Sequence, residues 1–396
     1  MTRSSAERGY TLLPLLVLVG VAAASFVYVR AMPRDDAALR AQRTAAALAL
    51  ARDALIGRAA ADNIRPGSLP CPDVNNDGTA DGAFGNCTRY LGRLPWRTLG
   101  LPELRDGWGE RLWYVLSSAY RDNASGGPLN SDTPGALTLR NASGTVLAAD
   151  VPALVIAPGP VVGGQSREPG NQSLAAMYLE GENANGDAAY VAAPASAGFN
   201  DTLLAVGRED LFRLVIVRVA KEARDGLERY RAAHQYYPAA NPYAAGGPMY
   251  YCDAATLRGR IPLTINSAGA GCAAQALWDA ELPDWFFSNG WNLLTHYAVS
   301  SACADPSASA QASCTADGGP QPLDIAGVSP AVRVVVVVSG PARPGETRPC
   351  TSAAQCVDDA ANGDDDTHYV KPAPWPAGND RLAASCATAA PCEALP

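Results

Sequence analysis

Lysine and histidine are almost missing from this chain. Beyond the first thirty of its 396 residues the only lysines are Lys221 and Lys371, and the histidines are His234, His296 and His368. That removes much of the usual equipment of an enzyme. There is no H-E-x-x-H pair, no G-x-S-x-G elbow, and no glycine-rich phosphate loop with its lysine. The histidines lie far apart, and His296 falls in a strand-like stretch that suits a packed or edge-strand ring better than a catalytic base. The cysteines never group as C-x-x-C pairs, which excludes the common zinc frameworks. No basic stripe is visible and the formal net charge is −8, so nucleic acid is not an expected partner. The chain reads as a non-enzyme.

What is abundant points outside the cytoplasm. All 10 cysteines lie between Cys71 and Cys392, and an even count in an exported chain reads as disulfides. Sequential pairing is the simplest guess: Cys71–Cys87, Cys252–Cys272, Cys303–Cys314, Cys350–Cys356 and Cys386–Cys392. Spacing alone does not fix connectivity. With 37 glycines and 31 prolines, and many Asn and Asp, the protein is expected to be rich in loops.

The first thirty residues are the most specific. A charged leader, MTRSSAERG, ends at Gly9, and an uncharged run follows from Tyr10 to Val29. As a helix, twenty such residues reach about 30 Å, the hydrocarbon thickness of a bilayer. The order Arg8-Gly9-Tyr10-Thr11-Leu12-Leu13 resembles the class III signal of type IV pilins and type II secretion pseudopilins. The resemblance implies that a prepilin peptidase cuts between Gly9 and Tyr10 and methylates the new N-terminus. It implies a single-pass chain in the inner membrane, with periplasmic or extracellular C-terminal domains. Tyr10, Thr11, Leu12, Leu13 and Pro14 would open the helix that packs against other pilins or pseudopilins. Pro14 departs from the family, which usually has Glu at that place; tip-located minor members commonly lack it. A plain signal anchor would orient the chain the same way, with Arg3 and Arg8 inside.

The chain also repeats itself. ALARDALIGRAAADN parallels AKEARDGLERYRAAHQYYP, and Gly92-Arg93-Leu94-Pro95 parallels Gly259-Arg260-Ile261-Pro262. DGWGERLWYVLSSAY parallels SNGWNLLTHYAVSSA, ALVIAPGPVVGG parallels VVVVVSGPARPG, and GENANGDAAYV parallels DDAANGDDDTHYV. Five landmarks in one order define two copies. The expected division is a leader at 1–9, a transmembrane and filament helix at 10–45, a first globular repeat at 46–207 and a second at 208–396. Each copy opens with a helix. In the second, Leu211, Val215, Val219, Ala223 and Leu227 recur every fourth residue, a stripe suited to packing on a sheet. Strands are expected at 111–118, 136–139, 145–148 and 153–157, then at 293–300 and 332–338, the last as a central strand buried on both faces. Asn141 to Gly144 should close a hairpin. The expected fold is therefore α+β: a long membrane helix followed by two tandem pilin-like domains, each a helix plus an antiparallel sheet.

Two loops carry candidate chemistry. In Cys71-Pro72-Asp73-Val74-Asn75-Asn76-Asp77-Gly78-Thr79-Ala80-Asp81, oxygen side chains alternate and a glycine follows the third. Asp73, Asn75, Asp77, Thr79 and Asp81 thus resemble the first half of a calcium loop, without its closing Glu. The same residues also fit a solvated turn pinned by Cys71–Cys87. The second element occurs in both copies: Glu180, Glu182, Asn183, Asn185 and Asp187, then Asp358, Asp359, Asn362, Asp364, Asp365 and Asp366. Surface turns explain it better than a metal. The expected function is a non-enzymatic minor or tip subunit of a type II secretion or type IV pilus fibre; a tethered adhesin or binding module is the alternative.

Overall fold

A computed structural model of the chain describes residues 12–82, 85–123, 126–243, 256–262, 265–266, 275–276, 281–304, 307–317, 322–328, 331–364, 366–387 and 392. At 12–20, 24–35, 265–266, 275–276 and 315–317 only the backbone is described. The first copy supplies β1 (Leu91–Arg93), β2 (Trp113–Leu116), β3 (Leu137–Asn141), β4 (Val146–Val151), β5 (Ala153–Ala157), β6 (Ala189–Ala192) and β7 (Thr202–Val206). The second supplies β8 (Arg258–Arg260), β9 (Ile265–Asn266), β10 (Gln275–Ala276), β11 (Thr295–Val299), β12 (Asp324–Ile325), β13 (Val332–Val338), β14 (His368–Tyr369) and β15 (Arg381–Cys386). Two antiparallel sheets of the same topology result, β1-β2-β5-β7 and β8-β11-β13-β15. Each copy adds a parallel pairing outside its sheet, β3 with β6 and β12 with β14.

The alternation of side chains explains why the central strands are mostly apolar on both faces. Tyr114 and Leu116 on β2, and Ala153, Val155 and Ala157 on β5, join one core; Trp113, Val115, Leu154 and Ile156 join another on the opposite face. On β13, Val334, Val336 and Val338 face the first core while Val335 and Val337 face a third. A strand covered on both faces has no polar side to keep.

Two long helices lie against these sheets: α1 (Leu12–Ala61) on β5 and β7, and α2 (Arg208–His234) on β13 and β15. They also pack on each other. Ala47, Ala51, Leu55 and Ala59 of α1 therefore share a single core with Leu211, Val215, Val219, Ala223 and Leu227 of α2 and the inner faces of both sheets. Each Val, Leu or Ile buried this fully contributes about 1.5–3 kcal/mol. At Gly226 the helix meets a loop so closely that a Cβ would sit 2.4 Å from Leu282 Cδ2.

Several hydrogen bonds recur at matching places in the two copies. The Tyr114 hydroxyl donates to the Pro70 carbonyl at 3.1 Å, as Tyr297 does to Pro238 at 2.7 Å. Arg93 exchanges backbone bonds with Asp73, and Arg260 with Asn241. Gly92 and Gly259 precede these arginines because a Cβ there would press on the Asp73 or Asn241 carbonyl, at 2.7 and 2.1 Å.

The expected fold class needs correction. Among the described residues, fifteen strands in five sheets stand against three helices of seven or more residues. None of the described helices is long and apolar enough to cross a membrane. The copies are not tandem separate units either, because α1 and α2 bury their apolar faces on one another as well as on their sheets. The boundary at residue 45 falls inside α1, which continues unbroken through Pro14 and Pro33. Gly9, Tyr10 and Thr11 lie outside the described residues, and Leu12, Leu13 and Pro14 are described in backbone alone.

Candidate functional site

The loop before β1 is built from its own carboxylates. Asp73 is 1 % exposed and accepts three backbone amides: Asn76 at 2.6 Å and Asp77 at 3.2 Å on Oδ1, and Gly78 at 2.7 Å on Oδ2. Asp81 Oδ2 accepts from Val74 N at 2.6 Å and Asn75 N at 3.1 Å. Asp77 Oδ1 accepts the Thr79 amide at 2.7 Å and the Thr79 hydroxyl as well. Gly78, at φ +90°, lies against Trp96, whose indole would be 2.6 Å from a Cβ. Burial raises the Asp73 carboxyl above its ordinary range although the amides oppose it; the Thr79 hydroxyl and amide lower Asp77. Among the described residues no group of three or more His, Cys, Asp or Glu is assembled to hold a metal ion. The alternating oxygens accept amides in consecutive Asx turns.

Next to this loop, Arg93 is held under Trp113 and Tyr178, its guanidinium 4.1 and 3.9 Å from the two ring centres. Its Nε and Nη2 donate to the Gln172 carbonyl at 3.1 and 2.9 Å, and burial lowers its pKa to about 10. Trp113 also lines a half-open groove of about 550 Å³ beside edge strand β1. Leu91, Leu174, Ala175, Ala176 and Met177 make its apolar walls, with Arg89 and Asn185 among its polar lining. Sequence reasoning missed this groove because four separate segments build it. Leu174 in its lining is exposed.

In the second copy the place of Trp113 is taken by His296. It sits on a central strand, 1 % exposed, with Nδ1 3.3 Å from the Tyr243 hydroxyl and Nε2 3.2 Å from the Tyr369 hydroxyl. Burial, then the charge of Arg258, lowers its pKa to about 4, so the ring is neutral and satisfied. It is a packed histidine, with no access for a substrate.

The duplicated acidic elements are turns with a buried anchor. Asn183 donates to the Val191 carbonyl at 3.0 Å and accepts its amide at 2.8 Å; Asn362 does the same with Val370 at 3.0 and 2.9 Å. Glu182, Asn185 and Asp187 bond among themselves on the surface, and Asp359 caps the short helix Ala360–Gly363. Asp364 and Asp366 belong to the following turn; Asp365 lies outside the described residues. Disulfides join Cys71 to Cys87, Cys303 to Cys314, Cys350 to Cys356 and Cys386 to Cys392. Cys252 and Cys272 lie outside the described residues. Comparison with protein-family models, curated proteins and solved structures yields no match.

Proposed function

We propose that the protein is a non-enzymatic, low-copy subunit of a type II secretion or type IV pilus fibre. One observation carries the reading: the order Arg8-Gly9-Tyr10-Thr11-Leu12-Leu13 between a charged leader and an uncharged run to Val29. In this reading prepilin peptidase cuts after Gly9, the new amine at Tyr10 is methylated, and the run to Val29 holds the chain at the inner membrane until it packs against neighbouring subunits. Pro14 supplies no carboxylate to pair with a neighbour's amine, which suits a place at the end of a fibre. N-terminal mass analysis of the mature protein is the test. A methylated chain beginning at Tyr10 is expected; a chain starting at Met1, or cut elsewhere, overturns the assignment.

The groove beside β1 favours a second reading, a tethered surface binding module. Two measurements separate them. A fibre subunit co-purifies with sheared filaments and fails to mature without prepilin peptidase; a simple tethered binder does neither.

A further inference from the structure

The two copies treat one sheet position in opposite ways. In the second copy His296 and Tyr369 satisfy each other at 3.2 Å, and Tyr243 completes the ring's bonding. The first copy has Trp113 and Tyr190 at the equivalent places, 1 % and 0 % exposed. Trp113 Nε1 and the Tyr190 hydroxyl have no hydrogen-bond partner among the described residues. Buried polar atoms left in this way are uncommon and call for an explanation. The cavity of about 550 Å³ adjoins Trp113 in the first copy, within the range of roughly 300–1,000 Å³ that small-ligand sites occupy.

The lining sets the chemistry of an occupant. Leu91, Leu174, Ala175, Ala176 and Met177 offer flexible aliphatic contacts, and Tyr90 and Trp113 add ring faces. The polar lining differs in what it has left to offer. Asn185 Nδ2 already donates to Glu182 and Asp187, both at 2.9 Å, so its donor is taken. Arg89 is exposed and makes no ion pair or hydrogen bond among the described residues. A free guanidinium in the lining of an apolar groove selects a carboxylate through paired N–H donors. We propose that this groove binds a medium-chain aliphatic carboxylate, with its chain along Leu174 to Met177 and its head on Arg89. The site belongs to the first copy alone, since Thr256 stands in the second at the place of Arg89.

The test titrates the full-length chain, held in an amphipathic polymer free of alkyl carboxylates, with carboxyl-labelled decanoate observed by carbon NMR. Saturable one-site binding is expected. Arg89→Ala should weaken decanoate roughly tenfold, the scale of one charge-assisted pair, and leave decanol unaffected. Ala176→Trp, an exposed position that needs no core rearrangement, should abolish binding of both. Absence of saturable binding, or equal binding in Ala176→Trp, overturns the site. Equal decanoate affinity in Arg89→Ala overturns the carboxylate. A peptide with an apolar C-terminal residue that displaces decanoate at lower concentration overturns the lipid-like occupant in favour of a chain end. None of these outcomes depends on how the N-terminus is processed.

Discussion

Glu180 and Asp201 each accept the other's backbone amide: Asp201 Oδ2 from Glu180 N at 3.0 Å, and Glu180 Oε2 from Asp201 N at 3.1 Å. The second copy repeats the clasp with Asp358 and Asp380, at 2.6 and 3.3 Å. Burial comes first in raising Asp201 to about 8 and Asp380 to about 7; the neighbouring carboxylate adds to it. Both stand above the ordinary 3.8, so the stability they contribute is complete below pH 3.8 and is lost as pH rises through 7 to 8. Melting of the wild type against Asp201→Asn should show this. The variant, which carries an amide where the acid carries its proton, is expected to escape its share of the decline, up to about 1.4 kcal/mol per pH unit in the wild type. Parallel pH profiles for the two proteins would reject a protonated clasp.

Arg218 of α2 reaches across the junction of the two copies. Its Nη1 donates to the Ala60 carbonyl at 2.9 Å and the Asp62 carbonyl at 2.5 Å, and Nη2 to Asn63 Oδ1 at 2.9 Å. It thereby caps the C-terminal end of α1, where carbonyls lack partners within the helix. Arg218→Met should cost about 1.5–3 kcal/mol in denaturant unfolding. Arg218→Lys should recover little, because one ammonium cannot span three acceptors.

Asp73 holds the loop before β1 with three amide bonds, and Asp73→Ala leaves those donors uncovered. A loss of about 2–4 kcal/mol is expected. The turns are already closed by amides, and melting curves with calcium and with chelator are expected to coincide. A rise in melting temperature with calcium that Asp77→Ala abolishes would instead establish a cation in the loop.

Gly226→Ala tests the packing of α2 under the loop at Leu282. Helix propensity favours alanine by about 1 kcal/mol. The contact of 2.4 Å with a buried leucine opposes it. Overpacking of this kind costs about 1–3 kcal/mol, so a net loss of stability is expected. A variant as stable as wild type would show that Leu282 yields freely.

The duplication was legible because equivalent residues do equivalent work: the Gly-Arg-Leu-Pro and Gly-Arg-Ile-Pro segments both bring a strand against a crossing backbone. β13 was legible too, since Val334 to Val338 is an unbroken apolar run that lies between β11 and β15. The parallel pairs were not. Asp324 and His368 are 44 positions apart in the chain and pair through a two-residue strand that leaves no periodicity. The stripe on α2 announced the sheet it lies on but not α1, which shares that face; an apolar pattern does not count its partners. The calcium-like loop shows the same limit. Alternating oxygens serve a cation or a series of turns, and only their partners distinguish the two. The groove depends on Arg89, Trp113 and Leu174, which no motif connects.

The shared core of α1 and α2 ties the two halves together in time as well as in space. As the chain emerges from its N-terminus, Ala47, Ala51 and Leu55 are in place long before the strip on α2 that completes their cover. The first half must wait, incompletely closed, for the second to be made. For the same reason a chain ending at Gly207 would be an open half rather than a smaller version of the protein. The two copies form one obligate unit, and neither can be removed without baring the apolar face of the other.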